Sequence, residues 1–246
     1  MINYGDIFRL GNHRLMCGDA TNRDDVYKLI NGEHVNLVLT DPPYGVKIHS
    51  GYHRYKNKKK FQRDYEKECQ RYTQKSYAKI IGDENIDTAK LHYKIVCEIS
   101  DKLIFWGGIY FTDFLPVSKK WLVWYKMQAL PNHSQAELAW TNIKGNTKVY
   151  TQRWNGAIRQ GNCKLNPRPA VHQAQKPVEL HIKILEDFSK ENDVILDCFG
   201  GSGTTLIAAE CCNRKCLMME ISPEYCEIII NRYRDLSGLA SHVEKI

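Results

Sequence analysis

Residues 193–220 constrain the fold more than any other stretch. Asp193-Val194-Ile195-Leu196-Asp197 is a short run of branched apolar residues and reads as a buried strand. Cys198 to Gly203 form a glycine-rich turn, Thr204 to Cys212 a helix, and Cys216-Leu217-Met218-Met219 a second strand closed by Glu220. Glycines at 200, 201 and 203 permit positive φ and let a ligand come close to the backbone. The order strand, glycine turn, helix, strand, acid describes a nucleoside site in an α/β sheet, with the acid placed to hold ribose hydroxyls. A phosphate-binding loop needs Gly-Lys-Ser/Thr, and here Gly203-Thr204-Thr205 has no lysine. A dinucleotide fingerprint needs a third glycine where this chain has Leu206. The expected ligand is therefore a nucleoside without a pyrophosphate.

A second constellation follows the apolar run Val35 to Thr40: Asp41-Pro42-Pro43-Tyr44-Gly45. Two prolines end the strand, remove two N–H donors and push Asp41 and Pro42 toward extended backbone. The Asp41 carboxylate and the Pro42 carbonyl remain as acceptors, and Tyr44 adds a stacking ring. No obvious nucleophile accompanies them. A planar base with an exocyclic amino group suits this site, because two N–H groups donated to two acceptors would draw the nitrogen lone pair out of the ring and toward an electrophile.

Charge is concentrated in one place. Of a net +7, the segment from Lys47 to Lys79 holds eleven Lys and Arg against three acids, so the rest of the chain is close to neutral. Arg54, Lys56, Lys58, Lys59, Lys60 and Arg63 alternate with Tyr52, Tyr55, Phe61 and Tyr65. Cations interleaved with aromatic rings fit a polyanion with stackable bases, a nucleic acid, and a solvated surface loop is the alternative. A second basic, loop-like segment spans residues 142–170 and carries Arg153 and Arg159. Nine irregularly spaced cysteines without a CxxC pair support neither a disulfide framework nor a metal site. The N-terminus lacks a signal-peptide core and no run of 18 apolar residues occurs, so a cytoplasmic protein with no membrane contact is expected.

Taken in order, His13 to Cys17 reads as a strand, Asp25 to Ile30 as a helix, and Thr88 to Ser100 as a helix with Leu91, Ile95, Val96 and Ile99 on its apolar face. Lys102 to Trp106 is a strand leaving through Gly107-Gly108, and Trp121 to Lys126 pairs with Glu137 to Thr141. Strands alternating with helices make the fold class α/β, in one domain carrying basic inserts at about 46–80 and 142–170.

S-adenosylmethionine (SAM) is a nucleoside without a pyrophosphate, and it supplies the electrophilic methyl that the Asp41 site lacks. The pairing of Asp-Pro-Pro-Tyr with Asp-Cys-Phe-Gly-Gly-Ser-Gly-Thr-Thr closely resembles the amino-directed DNA methyltransferases, which act on adenine N6 or cytosine N4. With the catalytic stretch ahead of the cofactor stretch, the chain resembles their permuted beta group. Gly18-Asp19, the stretch from His172 through Lys176-Pro177 to Leu180, and Met219 to Tyr225 also match. The likeness covers residues 13–45 and 172–234, with Trp124-Tyr125-Lys126 the clearest match between them.

The resemblance implies a Rossmann-like SAM-dependent methyltransferase fold, a mixed and mostly parallel sheet flanked by helices with circularly permuted motif order. It implies that Asp41, Pro42 and Pro43 form the amino-group site and that Tyr44 stacks the flipped base. Asp197, Phe199, Gly200, Gly201, Ser202, Gly203, Thr204 and Thr205 are implied to line the methionine end of SAM, Glu220 its ribose, Asp19 its adenine, and Lys176 to sit near its carboxylate. Relatives often have Pro-Phe-Ala-Gly where this chain has Cys198-Phe199-Gly200-Gly201, a swap that keeps Gly201. The implied substrate is double-stranded DNA, with adenine N6 favoured over cytosine N4 because the N4 enzymes more often begin the motif with Ser. An RNA base, a protein glutamine amide and a non-catalytic nucleic-acid-binding role are the alternatives. The short recognition region leaves a homodimer open, and a cognate restriction nuclease is a further open partner.

Overall fold

The computed structural model describes residues 1–46, 81–128, 134–155, 158–162, 164–166, 175–237 and 243–246, with backbone alone at 155, 158, 159 and 237. The elements run β1 (Ile7–Leu10), β2 (His13–Cys17), α1 (Arg23–Ile30), β3 (Leu37–Thr40), α2 (Asp87–Val96), β4 (Leu103–Trp106), a 3-10 turn (Gly108–Tyr110), β5 (Trp121–Tyr125), β6 (Ala136–Thr141), β7 (Lys148–Thr151), β8 (Trp154–Asn155), β9 (Ile158–Arg159), α3 (Val178–Phe188), β10 (Val194–Asp197), α4 (Thr204–Cys211), β11 (Lys215–Glu220), α5 (Pro223–Ser237) and β12 (Val243–Lys245).

Ten strands form one sheet in the order β12-β1-β2-β11-β10-β3-β4-β6-β5-β7, and β8 pairs with β9 apart from it. The five central strands, β2 to β4 in that order, are all mutually parallel. The outer pairs β12-β1, β1-β2, β4-β6 and β6-β5 are antiparallel, and β5-β7 returns to parallel. This is the mixed, mostly parallel sheet that the motif order implies.

Strand alternation sends Leu37 and Leu39 to one face and Val38 to the other. On the first face α3, α4 and α5 pack through Ile184, Leu185, Leu206 and Ile229; on the second α1 and α2 pack through Val26, Leu29, Ala89 and Val96. Ile184 and Leu185 are fully buried, each contributing roughly 1.5–3 kcal/mol of transfer free energy. A sheet covered on both faces explains why the central strands read as unbroken apolar runs in the sequence.

Several expectations shift. Helix α1 begins at Arg23, two residues earlier than the apolar pattern, because Asn22 adopts extended backbone and accepts from the Asp24 N–H at 3.0 Å. Helix α2 buries Ala89, His92, Ile95 and Val96, while Leu91 is 48% exposed. Ile95 and Val96 of the expected face are buried and Ile99 packs partly buried on the core, whereas Leu91 gives way to His92, accommodated inside by an Nδ1 bond to the Ala20 carbonyl (3.0 Å). The segment 142–170 is not uniformly loop-like: β7 joins the main sheet beside β5 and buries Tyr150, whose hydroxyl donates to Asp187 at 2.6 Å. The basic insert lies outside the described residues from Lys47 to Ile80. Among the described residues no helix is long and apolar enough to cross a membrane.

Candidate functional site

Strand order brings together what the sequence separates. Each of the five parallel strands delivers a polar or glycine-bearing turn at its carboxyl end: Gly18-Asp19 after β2, Glu220 at the end of β11, Asp197 at the end of β10, Asp41 after β3 and Gly107 after β4. Ligands of open α/β sheets bind beyond the carboxyl ends of the strands. A cavity of about 290 Å³ lies there, lined by residues of the first four turns together with Lys176 and Gln175.

At the Asp41 corner, both carboxylate oxygens have partners. Tyr44 Oη donates to Oδ1 at 2.5 Å, and the Lys176 ammonium donates to Oδ2. The Tyr44 ring stacks on Tyr110 (centroids 5.0 Å, 17°) and meets Phe111 edge-on at 6.1 Å. The Gly45 N–H donates to Asp83 Oδ1 (2.9 Å), which fixes the turn out of the site. Lys176 is 5% exposed, and its second carboxylate neighbour is Glu137 Oε2 at 3.5 Å. Burial works against the ammonium, yet Asp41 and Glu137 together hold its pKa above the ordinary value. Burial also raises the Tyr44 phenol, with the Asp41 charge adding to it, so the hydroxyl remains a donor.

At the opposite corner, Glu220 spans the glycine turn. Its Oε2 accepts from the Gly201 N–H at 2.7 Å and its Oε1 from the Ser222 N–H at 2.9 Å. Gly201 and Gly203 take φ of +51° and +81°, a region closed to most side chains. Arg232 of α5 donates to the Ser202 carbonyl and, at 2.9 Å, to that of Leu165. Asp197 fastens three elements: Oδ1 accepts from Thr40 Oγ1 (3.2 Å) and the Phe199 N–H (3.1 Å), and Oδ2 accepts from Thr205 Oγ1 (2.6 Å). His181 Nδ1 lies 3.1 Å from that same Thr205 oxygen.

Burial raises both Asp197 and Glu220 to about 7, against the hydrogen bonds that favour their charged forms. A carboxyl whose folded pKa lies above its unfolded one stabilises the fold fully below the unfolded value, 3.8 for Asp197, and loses that contribution as pH rises through about 7. Thermal stability of the wild type is therefore expected to fall between about pH 4 and pH 7 more steeply than that of Asp197→Asn, which has no charge to bury. Melting curves across that range check this, and parallel slopes would show that Asp197 does not titrate there.

Asp19, Asp41, Pro42, Pro43, Tyr44, Lys176, Asp197, Phe199, Gly200, Gly201, Ser202, Thr204, Thr205 and Glu220 all line the one cavity, and Gly203 lies behind it at the start of α4. The Lys176 ammonium, expected at a cofactor carboxylate, sits on Asp41. Asp19 Oδ1 accepts from the N–H and the hydroxyl of Thr21, both at 2.8 Å. Arg54, Lys56, Lys58, Lys59, Lys60 and Arg63 fall outside the described residues, Arg153 is exposed beside the β8-β9 hairpin, and for Arg159 the backbone alone is described. Sequence reasoning does not reach Asp83, Glu137, His181 or Arg232. Glu137 and His181 carry a usable signal, a charge within an apolar strand and an imidazole on the buried face of a helix; Asp83 and Arg232 carry none.

Residues 35–231 match the model of the DNA methylase family of N6 and N4 methyltransferases. Type II methyltransferase M.HpaI of Haemophilus parainfluenzae is 24% identical over 256 residues, covering 90% of this chain and 74% of that protein. In seven further curated relatives the match spans from 21% to 49% of the relative's length. Among solved structures, the M1.HpyAVI-SAM complex aligns with a TM-score of 0.57 at 19% identity, over 89% of this chain and 97% of that one. The cytosine-N4-specific PvuII DNA methyltransferase aligns with a TM-score of 0.54 at 20% identity, over 96% and 97%. At these identities the structural likeness is one of fold, while the family match runs from the strand that leads into Asp41 to the helix packed behind the glycine turn. The chain belongs to the DNA methylase family of N6 and N4 methyltransferases.

Proposed function

We propose that this protein methylates the exocyclic amino group of a base flipped out of double-stranded DNA, adenine N6 in a specific sequence. The observation that carries the reading is the juxtaposition of Asp41 with the Asp197–Glu220 nucleoside corner in one cavity. SAM is the cofactor, and it brings a methyl group on a cationic sulfur. The residues present fit it: Glu220 keeps lone pairs for ribose hydroxyls beyond its bonds to the Gly201 and Ser222 N–H groups, and the glycine turn with Asp197 lines the same cavity. Glycine at 200 lets the turn pack closely on β11, where a Cβ would stand 2.9 Å from the Met218 side chain.

Removing the base from the stack costs a few kcal/mol, offset by stacking and hydrogen bonds in the pocket. Asp41 and the Pro42 carbonyl accept the two amino N–H bonds and free the nitrogen lone pair for an in-line attack. Tyr44 holds the base plane from its bed on Tyr110 and Phe111. Asp41 also offsets the positive charge of the methylated nitrogen until a proton leaves. Positioning and this electrostatic pre-organisation supply the acceleration. The basic, aromatic segment from Lys47 to Lys79 supplies phosphate contacts and stacking.

Adenine is favoured because the motif begins with Asp41. Cytosine N4 is the second reading, favoured by the fold shared with the N4-specific PvuII enzyme. Mass spectrometry of DNA from cells expressing the wild type and Asp41→Ala tests both. A rise of N6-methyladenine with the wild type alone is expected; a rise of N4-methylcytosine selects the second reading, and no rise in either base overturns DNA methylation.

A further inference from the structure

Glu137 stands on β6, a strand that contributes nothing to the site read from the sequence. Its Oε1 accepts from Lys126 Nζ at 2.5 Å, and its Oε2 lies 3.5 Å from Lys176 Nζ. Lys176 donates in turn to Asp41 Oδ2. Charges therefore alternate along Lys126, Glu137, Lys176 and Asp41, and one buried ammonium is shared by two carboxylates. Lys126, with its side chain 15% exposed and its ammonium over the Trp124 ring at 4.8 Å, closes the array.

We infer that Glu137 is a positioning residue for methyl transfer, holding one side of Lys176 so that Asp41 keeps the negative charge its reaction needs. The inference rests on the proposed transfer at Asp41. Charge at the reacting centre is positive throughout, first on sulfur and then on the amino nitrogen until it sheds a proton. A carboxylate paired with an ammonium of its own would be neutralised there, and an ammonium left unshared beside a cationic centre would oppose the reaction. With Glu137 in place the two ammoniums and two carboxylates of the array balance, whereas without it Lys126 and Lys176 would outnumber Asp41 and leave the group positive beside a cationic centre.

Among the described residues, the other neighbours of Lys176 do not take over this role. From β4, Trp106 offers a ring 5.1 Å beneath the ammonium. His181 of α3 is driven to a pKa of about 3 by burial and by the Lys176 charge, so it is neutral. From the turn after β3, the Tyr44 hydroxyl lies 3.4 Å from Nζ, and Tyr110 of the 3-10 turn stacks behind it. Asp197 of β10 is occupied by Thr40, Thr205 and Phe199. Burial opposes ionisation of Glu137, but Lys176 and Lys126 outweigh it and hold its carboxyl below the ordinary range.

The test uses the full chain, radiolabelled SAM and unmodified genomic DNA, with rates followed across pH and SAM affinity measured by calorimetry. For Glu137→Gln, kcat near neutral pH is expected to fall about tenfold or more while SAM affinity and the DNA KM stay within about twofold. Its rate is then expected to climb toward the wild-type value at alkaline pH, as the unshared Lys176 loses its proton and releases Asp41. Glu137→Asp, which keeps the charge, is expected to retain the wild-type pH profile, and it decides the matter if the Gln variant does not fold. A Gln variant as fast as the wild type, or slowed by one constant factor at every pH, overturns the role of Glu137, as does an Asp variant with a displaced profile. A wild type that binds SAM and transfers no methyl would instead overturn the underlying reaction.

Discussion

Asp41→Ala is expected to remove methyl transfer, by about a thousandfold or more in kcat, because the variant lacks the charged acceptor that Asp41 offers to the amino group. SAM affinity should change little, since the residues that bracket the nucleoside, Glu220 and the glycine turn, are tied to β11 and α5 rather than to the turn after β3. The fold should also survive: Asp41 caps no helix, and the Lys176 ammonium keeps Glu137 as a partner. The measurement pairs single-turnover methyl transfer with SAM titration on the same preparation. Loss of turnover with retained binding supports the assignment. Turnover within tenfold of the wild type would sink it, and loss of both together would move Asp41 from chemistry to architecture.

Much of this arrangement is legible in the sequence, because its strongest signals are local. Proline pairs end strands, glycines mark positive φ, and apolar runs of four to six residues mark strands buried on both faces. Asp41, Tyr44, Gly201 and Glu220 all sit at such signals, at the ends of β3 and β11 and in the turn after β10. What the sequence hides is what only strand order creates. That β10 lies beside β3, so that Thr40 reaches Asp197, depends on a pairing between residues more than 150 apart. Glu137 is hidden for the same reason: its partners come from the end of β5 and from the turn before α3. Helix α2 shows the converse limit. Periodicity identifies the helix and sends Ile95 and Val96 inward, but it counts Leu91 as buried and misses His92, an imidazole that packs inside with one backbone partner.

Gly107→Ala carries the second large effect, and it acts through Tyr44. Gly107 leaves β4 with φ of +70°, and its N–H donates to the Leu138 carbonyl at 3.0 Å, so the backbone there is held by the sheet. An added Cβ would lie 2.2 Å from Tyr44 Cε1 and 2.5 Å from Cδ1, far inside contact distance. Tyr110 covers one face of the ring and Phe111 meets its edge, so the ring cannot yield without leaving this bed. Left-handed backbone costs alanine roughly 1–2 kcal/mol, and moving the ring breaks the Tyr44–Asp41 hydrogen bond and misplaces the stacking surface. The expected result is a fall in kcat/KM of about a hundredfold, since displacement of a positioning group by an ångström has that order of effect. SAM affinity should be preserved, because Gly107 is not among the residues lining the cavity. A double-mutant cycle isolates the cause. In a Tyr44→Ala background the clash disappears, so adding Gly107→Ala should cost only the backbone strain in stability and almost nothing further in rate. Additive losses in rate would show that Gly107 acts on the site by a route other than the ring it supports.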